Sequence, residues 1–136
     1  MYLNKLSGEQ KQLFLDLCIH ASRTDSNFAE EEKECINAYC GEMQLDTIRY
    51  STEKSLDDVI QKLIEVSTTK DLRIIAFEIT ALLLADEKLE KEEVFLVDKI
   101  INEFKFSETF KNTIIDEIKK LTELYNQMNT TVLEGR

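Results

Sequence analysis

The chain has 136 residues, of which 43% are hydrophobic, enough for one ordinary domain whose core needs no disulfide or metal staple. Twenty-seven Asp and Glu residues against 17 Lys and Arg give a net charge of −10, which argues against nucleic-acid or anionic membrane partners. The longest apolar run, between Glu78 and Asp86, is far shorter than the ~20 residues of a membrane span. No signal-peptide pattern follows Met1, so we expect a cytoplasmic protein.

The counts of proline, glycine and cysteine indicate the fold class and the state of the thiols. Proline is absent and glycine occurs three times, so helices must end at capping residues and polar elbows, and an all-α chain is predicted. Cys18, Cys35 and Cys40 are odd in number, lack CxxC spacing and sit among apolar residues. We interpret them as reduced thiols of the core.

Helical spacing of apolar residues predicts three helices in the first half of the chain. A capping box of Ser7 and Gln10 begins the first, over about residues 7–22. The second ends near Gly41, a weak stop signal. Ser55, three residues before an aspartate, begins the third.

Three further helices follow in the second half. Thr68 or Thr69 caps the fourth, whose interior 74–85 is apolar nearly all round, so we place it at the centre of the bundle. The fifth covers about 90–105.

The sixth helix begins at the cap Ser107 and is predicted to end near Met128. The polar segment 129–136 is expected to fray. The apolar residues of this helix recur at helical spacing and are predicted to face the core: Phe110, Ile114, Ile115, Ile118, Leu121, Leu124 and Tyr125.

The two halves of the chain repeat one plan. An offset of 61 residues places Asp25 on Asp86 and also aligns the apolar positions that follow, such as Ile36 with Val97. We therefore predict a single-domain bundle over 1–128 of about six to seven helices, built from halves of about 7–66 and 69–128 related by a pseudo-two-fold axis.

Each half carries the pattern Asp-x-x-(Phe/Leu)-x-x-Glu-Glu at an elbow between two helices. An Asp ending one helix and a Glu in the first turn of the next can converge on one point, and oxygen ligands favour Ca²⁺ or Mg²⁺. The alternative is that these acids only cap helices. An EF-hand is excluded because the sixth residue counted from Asp86 is Lys91. The acids concerned are Asp86 and Glu93 in the second elbow and Asp25 and Glu32 in the first.

The segment 82–96, LLLADEKLEKEEVFL, resembles the repeated unit of the TerB-like domain, the all-helical module of bacterial tellurite-resistance proteins. It is also similar to the segment that precedes the J-domain in some membrane-anchored co-chaperones. The family unit reads Ala-Asp-Gly-Glu-Ile-Ser-x-x-Glu, and the resemblance extends over about residues 6–124. It implies a role in stress response and a divalent metal held by Asp86 and Glu93, with Asp25 and Glu32 as the weaker copy.

This chain departs from the family unit at two kinds of position. The family glycine is Glu87 in the second elbow and Ser26 in the first, and the family capping serine is Glu90 and Ala29. A glycine suits positive φ and a serine caps a helix, and neither elbow has these residues at those positions. The first elbow, with Ala29 at the capping position, is the more degraded copy.

Two polar residues stand apart from the elbows. His20, near the end of the first helix, fits a polar edge position or a contact with the helix C-terminus. Glu78 interrupts the most apolar helix, and we expect it at the edge of the bundle, the alternative being a buried carboxylate. We expect no enzyme, because no nucleophile, base and metal constellation is visible.

Two functions remain open from the sequence. The first is a non-enzymatic TerB-like module of bacterial stress response that binds a divalent cation at the second elbow. The second is an acidic protein-interaction module without metal. Its partners would carry basic surfaces, and salt would weaken their association with this chain.

Overall fold

The structure is a computed structural model that describes residues 1–22, 30–45, 52–84 and 91–135. In that part of the chain, the side chains of Ser22, Glu30, Glu31, Glu32, Cys35 and Glu92 are not described. The described residues form α-helices and one short 3₁₀ helix, Leu3–Lys5, with no strand among them. The α-helices are α1 Gly8–Ser22, α2 Glu30–Met43, α3 Leu56–Val66, α4 Thr69–Leu84, α5 Lys91–Glu103 and α6 Glu108–Glu134. The predicted all-α class is confirmed.

The predicted helix starts are confirmed at four helices. Ser55 and Ser107 each accept a hydrogen bond from the backbone N–H three residues on, at the starts of α3 and α6. The capping box of α1 is complete, since Ser7 Oγ accepts from the Gln10 backbone N–H at 3.2 Å and Gln10 Oε1 accepts from the Ser7 backbone N–H at 2.8 Å. At α4, Thr68 is the cap, with Asp71 as its reciprocal partner.

Two central helices organise the core. In α1 the seven consecutive residues 13–19 are buried, and in α4 all of 74–80 are buried except Phe77, which is half-buried. Helix α1 packs against α2, α3 and α4, while α4 packs against α1, α5 and α6. The prediction that α4 is central is right, and α1 shares that position. Cys18 and Cys40 lie fully buried in this core, as predicted.

A single amide side chain ties α1 to the junction of α3 and α4. The Nε2 atom of Gln10 lies 3.2 Å from the Val66 carbonyl oxygen, 3.0 Å from Ser67 Oγ and 3.0 Å from Asp71 Oδ2. Gln10 is itself buried. The hydrogen bond from Gln10 lowers the pKa of the Asp71 carboxyl, which also accepts from the Thr68 backbone N–H.

The ends of α2 and α5 have the same geometry. Gln44 and Lys105 both adopt positive φ, 58° and 62°. In each case the next residue donates its N–H to the carbonyl five residues back, Leu45 to Cys40 and Phe106 to Ile101, at 3.0 and 2.9 Å. This pattern closes both helices with the same left-handed cap, which glycine usually occupies.

Helix α6 is longer than the sequence predicts. It continues past Met128 to Glu134 and is closed by Gly135, whose φ is 73°. Ile114 and Ile118 are buried, as predicted. Leu121, Leu124 and Tyr125 are exposed, so the prediction that they face the core is wrong. The reason is length: α6 has 27 residues, whereas the described helices α3, α4 and α5 have 11 to 16, so its last turns extend beyond them.

Candidate functional site

The predicted metal ligands lie largely outside the described residues. Asp25 and Asp86 are in the segments 23–29 and 85–90, which the structure does not describe, and the side chain of Glu32 is not described either. Glu93 is half-buried in the first turn of α5. Within the described ranges no three His, Cys, Asp or Glu side chains are grouped so as to hold a metal ion. The metal site therefore stays a prediction.

Glu78 is buried, and the expectation that it lies at the bundle edge is wrong. Its side chain accepts a hydrogen bond from the Tyr2 backbone N–H at 2.8 Å, and the Met1 ammonium nitrogen lies 3.0 Å from the same oxygen. Glu42 also pairs with that ammonium. Burial opposes the charged ammonium, but the hydrogen bonds and charges of Glu42 and Glu78 outweigh it and raise the pKa of the Met1 amino group. Glu78 thus anchors the residues that precede α1.

A second buried carboxylate lies in α1. Asp16 is fully buried, and the Lys54 ammonium is 3.6 Å from its Oδ2. His20, half-buried near the end of α1, has its Nε2 2.8 Å from the Lys54 carbonyl oxygen. These contacts fix the residues before α3 against α1, which gives His20 a structural role. The burial of Asp16 was not predicted from the sequence, although an aspartate inside an otherwise apolar stripe is a visible signal.

The exposed end of α6 carries an apolar stripe, which we call the α6 seam: Leu121, Leu124, Tyr125, Met128 and Val132. These side chains are 44% to 77% exposed. Counted from Ile114 and Ile118, the positions 121, 125, 128 and 132 continue alternating steps of four and three residues. That spacing is typical of a coiled-coil seam. The face that enters the core in the first half of α6 therefore continues, exposed, along the second half.

The residues that flank the α6 seam are uncharged. Thr122 and Thr131 donate their hydroxyls to the carbonyls of Ile118 and Gln127 in the same helix, at 3.0 and 3.1 Å. Asn129 is the other polar flanking residue. From Leu124 to Leu133 the helix contains no charged side chain, although the whole chain has a net charge of −10. The two flanking hydroxyls thus donate within the helix, and the flanks of the seam carry no charge.

A shallow cleft of about 520 Å³ lies beside the seam, between the end of α4 and the more polar side of α6. Its lining is one leucine of α4, Leu84, with Ile118, Lys119, Thr122, Glu123, Asn126, Gln127 and Thr130 of α6. The charged groups in this lining are a single Lys and a single Glu. The cleft and the seam are two sides of the same projecting helix.

Of the helices described here, none combines the length and apolar character needed to cross a bilayer. No protein-family model, no curated protein and no solved structure matches this chain.

Proposed function

We propose that this chain is a non-enzymatic helical interaction module that binds another protein surface through the α6 seam. The observation that carries the proposal is the contiguous stripe of exposed large apolar side chains on one helix face. Contiguous apolar surface of this kind marks interaction sites, whereas apolar residues scattered singly do not. Helix faces with anchors at such spacing bind apolar grooves or other helices.

The buried polar groups of the bundle support this reading. Gln10 binds the α3–α4 junction and Glu78 binds the backbone of Tyr2, so both hold the fold together. The seam, in contrast, makes no visible contribution to the core, since its side chains are exposed.

The proposal is tested by placing one negative charge in or beside the seam. Met128→Glu puts a carboxylate in the centre of the seam, and the matched control Gln127→Glu puts it about 100° around the helix, outside the seam. We expect binding partners captured by the parent to be retained by the control and lost from Met128→Glu. Partners that are the same for all three proteins would overturn the proposal.

A second candidate is the TerB-like module with a divalent cation at the second elbow. The observation that favours it is that residues 61 positions apart, the offset of the sequence repeat, have the same local structure. Ser7 and Thr68 cap equivalent helices, and Gln44 and Lys105 share the same left-handed cap. The equivalent residues Gln10 and Asp71 hydrogen-bond to each other, as residues beside a two-fold axis would. These matches support the internal duplication, which gives the two acidic elbows equivalent positions in the sequence; the role in stress response is what the TerB-like resemblance implies.

Metal titration separates cation binding from helix capping at these elbows. If Asp86 and Glu93 hold Ca²⁺ or Mg²⁺, the melting temperature rises at millimolar metal, and Asp86→Asn abolishes that rise. If the acids only cap helices, Glu93→Ala costs on the order of 1 kcal/mol with or without metal. A metal response lost on changing Asp25 or Glu32 but kept in Asp86→Asn would assign the site to the first elbow instead.

A further inference from the structure

We infer that the occupant of the α6 seam is the α6 seam of a second copy of this chain, packed antiparallel. This inference rests on the proposed function and names its partner. A seam with steps of four and three residues is self-complementary, because two copies present the same apolar stripe to each other.

The charge pattern favours a second copy over a different protein. Helix pairs between unlike chains are commonly specified by charges of opposite sign at the positions that flank the seam. Here the flanking residues Thr122, Asn129 and Thr131 are uncharged, and the two threonine hydroxyls bond within their own helix. Nothing at these flanks selects a partner of opposite charge or repels an identical one.

The net charge decides the direction of the pair. In a parallel pair the two bundles, each with a net charge of −10, would lie side by side at the same end. In an antiparallel pair they lie at opposite ends of the paired segment, roughly 20 Å apart at 1.5 Å per residue, which exceeds the screening length of about 8 Å in physiological salt. The antiparallel register that brings Leu121 against Val132 also brings Tyr125 against Met128.

The available area matches a weak, reversible dimer. Five half-exposed large side chains offer on the order of 100 Å² each, so mutual burial removes roughly 1,000 Å² over the two copies. That is at the low end of specific interfaces, where complexes associate and dissociate readily.

The test is the mass of the full 136-residue chain in solution, followed by sedimentation from about 1 µM to about 500 µM, the range expected for a small interface. We expect the mass to rise from one chain to two. We expect Met128→Glu to weaken the dimer by about 100-fold or more, because each copy buries an unpaired charge. The control Gln127→Glu should change the dissociation constant by no more than about threefold, since its charge stays in water.

Salt and cross-linking test the mode of association. Added salt should strengthen the dimer or leave it unchanged, since like-charged bundles repel less when screened. Association that weakens in salt would overturn the inference and favour the acidic surface as the contact. In a mixture of Tyr125→Cys and Met128→Cys chains, disulfides between the two kinds of chain should dominate, mapped by mass spectrometry. Dominant Met128→Cys self-pairs would show a parallel pair and overturn the antiparallel arrangement.

The two proposals fail in different ways. A chain that stays monomeric at the highest concentration, yet keeps a partner that Met128→Glu loses, overturns the second copy and leaves the interaction module standing. A monomeric chain without any seam-dependent partner removes both. Circular dichroism of both variants checks folding, and the concentration series of the parent needs no variant.

Discussion

The side chain of Gln10 joins three parts of the fold. It closes the capping box of α1 and presents one NH₂ group to acceptors at Val66, Ser67 and Asp71. Because that group has two hydrogens for three acceptors, at least one hydrogen is shared. The box was predictable, since Ser7 and Gln10 are three residues apart. The contacts with residues 66–71 were not, because a cap motif says nothing about which distant segment packs beside it.

We predict that Gln10→Ala lowers the free energy of unfolding by about 2–4 kcal/mol, from the lost cap and from buried groups left without a partner. Urea unfolding at neutral pH measures this. Gln61→Ala is the matched control: Gln61 is exposed and makes one hydrogen bond, to Glu103, so its loss should change stability by less than about 0.5 kcal/mol. Equal effects of the two substitutions would contradict the role given to Gln10.

The hydrogen bond between Gln10 and Asp71 is sensitive to acid, because its acceptor is a carboxylate. Its folded-state pKa lies below the ordinary value of 3.8, chiefly because the Gln10 amide donates to it. A depressed carboxyl pKa contributes stability that is present above pH 3.8 and is lost as the pH falls through the folded-state pKa. We predict that the parent loses more stability than Asp71→Asn between pH 5 and pH 2.5, as measured by urea unfolding across that range. Parallel pH profiles for the two proteins would contradict the prediction.

At the scale of whole helices, the residues at which helices begin can be predicted from local capping chemistry, whereas the residue at which α6 ends cannot. Ser55, Thr68 and Ser107 cap their helices because a side-chain oxygen satisfies a backbone N–H within the same turn. Periodicity shows which face of α6 is apolar, but not which part of that face another helix covers. Likewise, Glu78 is buried because the chain before α1 returns to it, and no short-range pattern announces that contact.

The matching ends of α2 and α5 give a prediction about helix termination. Gln44 has a left-handed backbone conformation, which is strained for a residue with a Cβ atom and which glycine adopts without strain. We predict that Gln44→Gly raises the free energy of unfolding by about 0.5–1 kcal/mol. Ala38→Gly, at an exposed helical position of α2, is the control and should lower it by about 1 kcal/mol. Thermal or urea unfolding distinguishes the two, and a loss of stability in Gln44→Gly would contradict the prediction.

At the scale of the whole molecule, the core and the proposed interaction surface occupy different regions. The core around α1 and α4 includes Ile114 and Ile118 from the first half of α6, whereas the large apolar side chains of its second half are exposed. An uncovered helical end of this length is only marginally stable in water. The elbow acids and the seam residues are different residues of the chain, so the cation proposal and the seam proposal are tested by different variants.

This separation predicts a gradient of hydrogen exchange along α6 that depends on concentration. At about 1 µM, amides of 124–133 should exchange at least about 100-fold faster than those of 110–118, because the end of the helix opens locally while its core half opens only with the bundle. At several hundred micromolar, pairing of two seams should slow exchange in 124–133 and leave 110–118 unchanged. Mass spectrometry of peptides after timed exchange measures both segments in one experiment. Met128→Glu should keep fast exchange in 124–133 at every concentration, whereas Gln127→Glu should follow the parent. If 124–133 were already as protected as 110–118 in the dilute parent, the end of α6 would owe its stability to its own chain, and the seam would have no need of a second copy.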